Sequence, residues 1–325
     1  MAYNITNSFM DQFNILFQEM LAQRGSFLMP YCRMEQVIGN SQIVRQFDTG
    51  KATIGELNSS GITEFSPILF DNRRLEPILI SKTISLNDTD MIRQGQPPVE
   101  QLAASCSQSC GAALDEIIIN GIGGIAKTQS TGSVSLPLSQ YICVDTKQYD
   151  NPDTLAGQGL TPSKVAFAVA LLREKYNSPD LICVCSNRAI GQLQSAERTA
   201  SSLYNSVQTM ANGVMTPFAG VQYFVASEAV PKKAKAHLVN GGSLISADST
   251  TVKESTNGEV ELAYIFAREQ IVLGCSREFG LKSAEDAHRN FDLVFQCKGM
   301  YDAVRMQEPS VIAIEINTGN SKITA

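Results

Sequence analysis

From Ser8 to Arg24 the apolar residues Phe9, Phe13, Leu16, Phe17, Met20 and Leu21 recur at helical spacing, with Ser8 placed to cap the start and Gly25 to stop it. The pattern predicts an amphipathic helix whose stripe must be covered, either by the chain's own core or by a neighbouring subunit. Between Gly39 and Leu86 the texture changes to short β-rich runs. Ile43 to Phe47 leads into the turn Asp48-Thr49-Gly50-Lys51, and Ile78 to Ile84 reads as a returning strand. Apolar content here is too thin for a separate core, so the segment reads as a long hairpin-like projection.

After Pro97-Pro98 a helix is predicted from Val99 to about Ile119, with Leu102, Cys106, Cys110, Ala113 and Ile117 on one face, ending at Gly121-Ile122-Gly123-Gly124. The stretch to Pro137 is rich in Ser, Thr and Gly and reads as a loop or hairpin. Thr161 as N-cap and Pro162 at the first helical position open a helix to Tyr176, with Val165, Val169 and Leu172 on its buried stripe. The unbroken run Leu181 to Cys185 predicts a strand covered on both faces. A helix near Arg188 to Ala200 and a strand over Val221 to Val225 complete a compact α/β lobe. Leu262 to Leu273 reads as a strand pair turning at Ala267 to Gln270. The alternations through Phe291 to Lys298 and Ile312 to Ile316 predict two late strands paired outside that lobe.

Charge narrows the function classes. Against 43% hydrophobic residues, only 18% are charged, below the usual quarter, so much of the surface is polar without charge. Such a surface suits a chain partly covered by other subunits. The net charge of −6 gives no global field toward nucleic acid phosphates or an anionic membrane. The start of the chain has neither a basic segment nor a continuous apolar stretch, and the expectation is a soluble, unexported chain with no membrane partner. The eight cysteines are scattered through apolar runs and read as free thiols in a reducing compartment.

Candidate chemistry is sparse. Gly121-Ile122-Gly123-Gly124-Ile125-Ala126-Lys127-Thr128 nearly matches a phosphate-binding loop, with Ala126 where the second glycine belongs. That motif needs a strand before it and a helix after it. Here a helical pattern precedes and Gln129 to Pro137 follows, so a helix-terminating glycine loop is the stronger reading. Only His237 and His288 are available for acid-base work, and each reads as solvated. Cys106 and Cys110 lack a second ligand pair, so no metal centre is expected. Asp88-Thr89-Asp90 lacks the rest of a calcium loop. No catalytic residue, cofactor or metal is assigned, and an interaction role is favoured.

At this level the order of elements resembles the major capsid proteins of tailed double-stranded DNA bacteriophages, with the HK-ninety-seven-like (Johnson) fold, in the second phage capsid family. The resemblance spans roughly Phe13 to Ile316. Leu21-Ala22-Gln23-Arg24-Gly25-Ser26-Phe27-Leu28 is similar to the opening helix and its Gly-Ser exit. Asn72-Arg73-Arg74 with Ile80, Ile84 and Asp90 is similar to an Arg-Arg strand leading to an acidic corner. Asp115-Glu116-Ile117-Ile118, Ala126, Thr131-Gly132 and Leu136-Pro137 resemble the end of the spine helix and its hairpin. Leu160-Thr161, Asn212-Gly213 and Phe218-Ala219-Gly220-Val221 fit the axial lobe. Gly299, Ala303-Val304-Arg305 and Val311-Ile312 resemble the closing strands, although Tyr301 and Asp302 depart from the usual Gly-Ala-x-Arg spacing.

The resemblance implies an α+β subunit with an N-terminal arm (1–40), an extended loop (41–95), a peripheral domain built on the spine helix (96–150 with 285–325) and an axial domain (151–284). It implies self-assembly into pentamers and hexamers of an icosahedral head enclosing double-stranded DNA, without sequence-specific binding. Scaffolding, portal and cement proteins are the implied partners, the virion is the implied location, and the host cytoplasm is the place of assembly. Phe13 and Phe17 on the arm, Arg45 and Lys51 on the loop, and Arg73 and Arg74 on its return strand are the candidate assembly contacts, with Lys51 a conceivable isopeptide donor. Two alternatives stay open: an encapsulin-like nanocompartment shell, or a P-loop-like nucleotide-binding enzyme using Gly121 to Thr128.

Overall fold

The computed structural model describes residues 13, 15–21, 25–48, 69–86, 99–129, 132–142, 159–175, 180–195, 210–211, 214–215, 217, 219–233, 237–238, 253–254, 260–286, 288 and 292–317. In chain order its strands are β1 (Arg33–Gln36), β2 (Gln42–Asp48), β3 (Leu69–Leu75), β4 (Ile78–Leu86), β5 (Ala126–Lys127), β6 (Ser133–Val134), β7 (Tyr141–Ile142), β8 (Leu181–Cys185), β9 (Met210–Ala211), β10 (Val214–Met215), β11 (Tyr223–Ala226), β12 (Lys232–Lys233), β13 (His237–Leu238), β14 (Lys253–Glu254), β15 (Val260–Ala267), β16 (Ile271–Asp286), β17 (Asp292–Arg305) and β18 (Val311–Asn317). The helices are a short N-terminal one (15–21), the spine helix Val99–Gly123, Pro162–Lys175 and Asn187–Ser195.

Two sheets organise the molecule. The peripheral sheet runs β1-β16-β17-β4, with long antiparallel β16 and β17 at its centre. The axial sheet runs β11-β8-β15-β18-β7, with β12 beside β15. Strand alternation makes the axial sheet a partition between two cores. Ile182, Val184, Leu262, Tyr264, Phe266, Val311 and Ala313 point toward the spine helix. Their neighbours in sequence, Cys183, Cys185, Ala263, Ile265, Ile312 and Ile314, face Val165, Val169 and Leu172 of the helix Pro162–Lys175. Because both faces are covered, the strands read as unbroken apolar runs, as Leu181 to Cys185 does.

The helix Pro162–Lys175 starts where its capping signals put it, with the Lys164 amide donating to Thr161 Oγ1 at 3.3 Å. The spine helix differs from expectation in length and in face. It continues through Gly121 to Gly123, and its buried stripe is Ala103, Cys106, Cys110, Leu114, Ile118 and Ile122, a step round from the predicted one. The helix ends within the predicted glycine stretch, at Gly123, and two of these glycines also make space. A Cβ on Gly121 would lie 2.5 Å from the Ala303 carbonyl oxygen, and one on Gly123 would lie 2.2 Å from the Tyr264 hydroxyl. Helix and sheet approach more closely than any side chain permits, which offsets the helix propensity glycine gives up.

Three expectations are corrected. First, Phe13 and Phe17 are fully buried, and Phe13 stacks on Phe295 with ring centroids 4.4 Å apart. The trough between spine helix and peripheral sheet needs these rings, so the stripe completes the subunit's own core and is not laid on a neighbour. Second, Leu262 to Leu273 does contain two strands, but they do not pair with each other. β15 belongs to the axial sheet and β16 to the peripheral one, and the turn Arg268–Gln270 carries the chain across. Third, β18 pairs with β15 over seven residues and with β7 of 96–150 on its other side, so this late strand lies within the axial sheet and not outside that lobe. The crossing after β17 lies beside the crossing after β15, and the Met306 amide donates to the Gln270 carbonyl at 2.8 Å. Sheet membership therefore divides the chain near Ile271 and Met306, not at 284/285.

Gly121→Ala is expected to lower the stability of the subunit by about 1–3 kcal/mol, because the new methyl meets backbone that cannot rotate away. Urea unfolding followed by circular dichroism measures this, and a loss comparable to that of Gly191→Ala, where a Cβ would meet open space, would contradict the close-approach argument.

Candidate assembly surface

The hairpin β2–β3 is anchored by a chain of charges that begins at Arg305. This residue follows Phe295, Cys297, Tyr301 and Ala303 on the inward face of β17 and is fully buried. Its guanidinium donates to the carbonyls of Ile122 (3.3 Å) and Val134 (2.7 Å), and also to that of Gly124. These carbonyls close the spine helix and its hairpin, where peptide oxygens lack helical partners. Nε faces Glu308 Oε1 at 4.0 Å. Burial lowers the Arg305 pKa, and Glu308 opposes that shift.

Glu308 also receives Arg73 Nη2 at 2.7 Å, while Arg73 Nε donates to the Met306 carbonyl at 2.9 Å. Arg73 is 5% exposed despite its charge. It is thus a clasp between β3 of the loop and the end of β17, and not a contact offered to an acidic neighbour. Arg74 pairs with Glu76 at 2.9 Å, and Lys127 reaches the same carboxylate, holding it below the usual carboxyl range. The Glu76 amide donates to Asp302 Oδ2 at 2.6 Å. Arg74 and Lys127 are exposed enough that these pairs contribute little individually, yet together with β3 bridging to Thr128 they fasten the hairpin β2–β3 to the hairpin after the spine helix.

About two turns before its end, the spine helix is held to the N-terminal segment by Asp115. The amides of Phe27 and Leu28 donate to its carboxylate at 3.3 and 3.1 Å, and the Ser26 hydroxyl does so as well. Ser26 Oγ in turn accepts the Met29 amide at 3.0 Å. The Gly25-Ser26 exit is pinned at this point, where Gly25 meets Gly111 so closely that a Cβ there would lie 2.5 Å away. Burial raises the Asp115 pKa above the ordinary 3.8, with the hydrogen bonds from Ser26, Leu28 and Phe27 pulling it back.

What faces outward is apolar in places. Ile78 and Leu79, at 60% and 53% exposure, open β4, which is an edge of the peripheral sheet among the described residues. Ile38 and Ile43 are exposed at the root of the loop, as are Phe27 and Ile125. Arg45 is exposed on β2. Lys51 lies outside the described residues. Of the sequence-predicted contacts, then, Arg45 remains outward, Arg73 and Arg74 anchor the loop internally, and Phe13 and Phe17 are core. Arg305, Glu308, Asp115 and the pair Ile78-Leu79 were missed as site residues. Arg305 carried a readable signal, since period-two alternation puts it on the apolar face of β17.

The glycine stretch makes no phosphate cradle. It ends a helix, and Ala126–Lys127 then pairs with Ser133–Val134 as a two-stranded hairpin, with Lys127 committed to Glu76. No group of three or more metal-ligating side chains occurs among the described residues, and no described helix is long and apolar enough to cross a membrane.

A spine helix on a sheet, a hairpin anchored at its base, and an axial α/β lobe define the class: the HK-ninety-seven-like fold. The capsid of Ralstonia phage GP4 superposes with a TM-score of 0.62 at 10% identity, over 90% of this chain and 91% of that one. The capsid of cyanophage P-SCSP1u gives 0.61 at 12% identity, over 90% and 88%. The virus-like particle from Pyrococcus furiosus gives 0.55 at 9% identity, over 94% and 98%. The model of the phage capsid protein family matches residues 5–317, and the chain belongs to that family. No curated protein matches in sequence. The protein is a phage capsid protein, structural in role, and the enzyme and nanocompartment readings are not favoured.

Two outcomes test the anchors. Arg305→Met is expected to cost about 3–5 kcal/mol in urea unfolding, because three carbonyls and Glu308 lose a buried partner; a cost below that of an exposed substitution such as Arg45→Met would refute the role. For Asp115, a raised folded pKa means that the group's contribution to stability is largest at low pH and is lost as pH rises from 3.8 through the folded value. Carbon-detected NMR should find its midpoint above 3.8 and higher still in Ser26→Ala; a midpoint at or below 3.8 contradicts this.

Proposed function

We propose that this chain is the major capsid protein of a tailed phage, tiling as pentamers and hexamers into an icosahedral head that holds double-stranded DNA without reading its sequence. The match to the phage capsid family along almost the whole chain carries the reading. The subunit's own form supports it: heterologous contacts that close into rings need surfaces that differ on opposite sides of one subunit. Here two distinct exposed surfaces are available, the β4 edge with Ile78 and Leu79 and the anchored hairpin with Ile43 and Arg45 outward. An edge strand leaves unpaired N–H and C=O groups facing outward, ready to be covered. Each contact can be weak, because a closed lattice multiplies them. Net charge of −6 suits a container that releases its nucleic acid. Assembly takes place in the host cytoplasm, with scaffolding, portal and cement functions supplied by separate chains.

Electron microscopy of the purified protein is expected to show closed shells or capsomers, and particles from infected cells should contain DNA. Shells filled with protein cargo and free of DNA would overturn the phage-head reading. Ile78→Asp with Leu79→Asp is expected to reduce assembled particles at least tenfold while leaving the monomer's circular dichroism and melting unchanged, since both side chains are exposed in the subunit. Undiminished shell yield would remove the β4 edge from the contact surface.

A further inference from the structure

Three thiols gather where the spine helix lies on the peripheral sheet. Cys106 and Cys110 are one helical turn apart and each is 1% exposed, while Cys297 on β17 is fully buried. Cys110 Sγ and Cys297 Sγ are 3.5 Å apart, against about 2.05 Å in a disulfide. The two sulfurs therefore need an approach of about 1.5 Å between elements that already touch. Lys82 on β4 stands opposite Cys297 in the strand register, and its charge favours a thiolate on Cys106 and on Cys110. The hydrogen bond shared with Cys297 holds the Cys110 thiol below the ordinary thiol range and pushes that of Cys297 above it. Cys110 is thus the sulfur more readily deprotonated, and so the one prepared to attack. The pair Cys183 and Cys185 offers no comparable bridge, because both lie on one strand and would join nothing to anything.

We propose that Cys110 and Cys297 form a redox staple, dithiol while the subunit folds in a reducing compartment and disulfide once the particle meets an oxidising medium. The oxidant is a low-molecular-weight disulfide. Local opening of the seam between helix and sheet admits it to Cys110, which is 1% exposed in the closed subunit; the Cys110 thiolate then attacks one of its sulfurs, forming a mixed disulfide and expelling one thiolate. Cys297 then loses its proton and attacks Cys110 Sγ, expelling the second, so two protein thiols are oxidised as one reagent disulfide becomes two thiols. The bond joins positions 187 residues apart and fastens the spine helix to the peripheral sheet. A closure of that length removes much of the freedom of the unfolded chain. A link between Cys106 and Cys110 would lie within one helix and tie no second element.

The test is incubation of the folded full-length protein with oxidised glutathione, followed by alkylation under denaturing conditions. The expected result is two fewer titratable thiols out of eight, a faster-migrating monomer on a non-reducing gel, and a peptide pair joining Cys110 to Cys297 in mass spectrometry. Melting temperature should rise by roughly 5–10 °C and return on reduction. Cys297→Ser and Cys110→Ser should each abolish the mobility shift and the rise in melting temperature. Eight thiols remaining after oxidation, a Cys106 to Cys110 link in place of the predicted pair, or a thermal rise that persists in Cys297→Ser would each overturn the proposal.

Discussion

A guanidinium with no access to water dictates much of this subunit. Arg305 must be compensated, because an uncompensated buried charge costs several kcal/mol; the acceptors present are the carbonyls of Ile122, Gly124 and Val134, and the carboxylate of Glu308 stands 4.0 Å away as the counter-charge. Satisfying Arg305 therefore puts the end of the spine helix, the hairpin after it and the end of β17 in one place. Glu308 passes the constraint on to Arg73, and through Arg73 to the hairpin β2–β3. A structure whose task is to tile needs its projection aimed, and a buried, hydrogen-bonded charge network gives a direction that apolar contact alone would leave degenerate.

The two cores share one wall. Odd and even residues of β15 and β18 feed different clusters, so the axial sheet cannot shift register without exposing one face and disrupting the other. The crossings at Arg268–Gln270 and Glu308–Ser310 then link the axial sheet to the peripheral one twice, side by side. This double crossing makes the lobes one mechanical unit. β4 is hydrogen-bonded to β17, and the chain leaving β17 continues through Glu308–Ser310 into β18 of the axial sheet. The thiols of Cys110 and Cys297 sit on that same route, between spine helix and β17, where a covalent bond would stiffen the unit most.

Element types were legible in the sequence wherever one rule sufficed. The cap Thr161-Pro162, the unbroken run Leu181 to Cys185 and the alternation through Phe295 and Cys297 each obey a local periodicity, and each is realised as read. The errors fall where a residue serves two demands. Gly121 and Gly123 read as a helix stop, and the helix does end at Gly123, but their second role as close-contact positions was not readable. Arg73 looked like a surface charge, yet it is 5% exposed because Glu308, distant in sequence, lies beside it. Phe13 and Phe17 made a correct amphipathic stripe whose covering surface no local pattern specifies.

The amino-acid sequence by itself determined which segments are helix and strand, which face of each is apolar, and, through the order of its motifs, the family to which the chain belongs. Periodicity and capping are properties of neighbours along the chain, so they can be read there. Only the tertiary structure decided that β15 and β16 part into different sheets, that the N-terminal stripe closes its own core, and that Arg305, Glu308 and Arg73 form one network. Those outcomes depend on which distant carbonyls, rings and carboxylates come within a few ångströms of one another, and spacing along the chain carries no record of that distance.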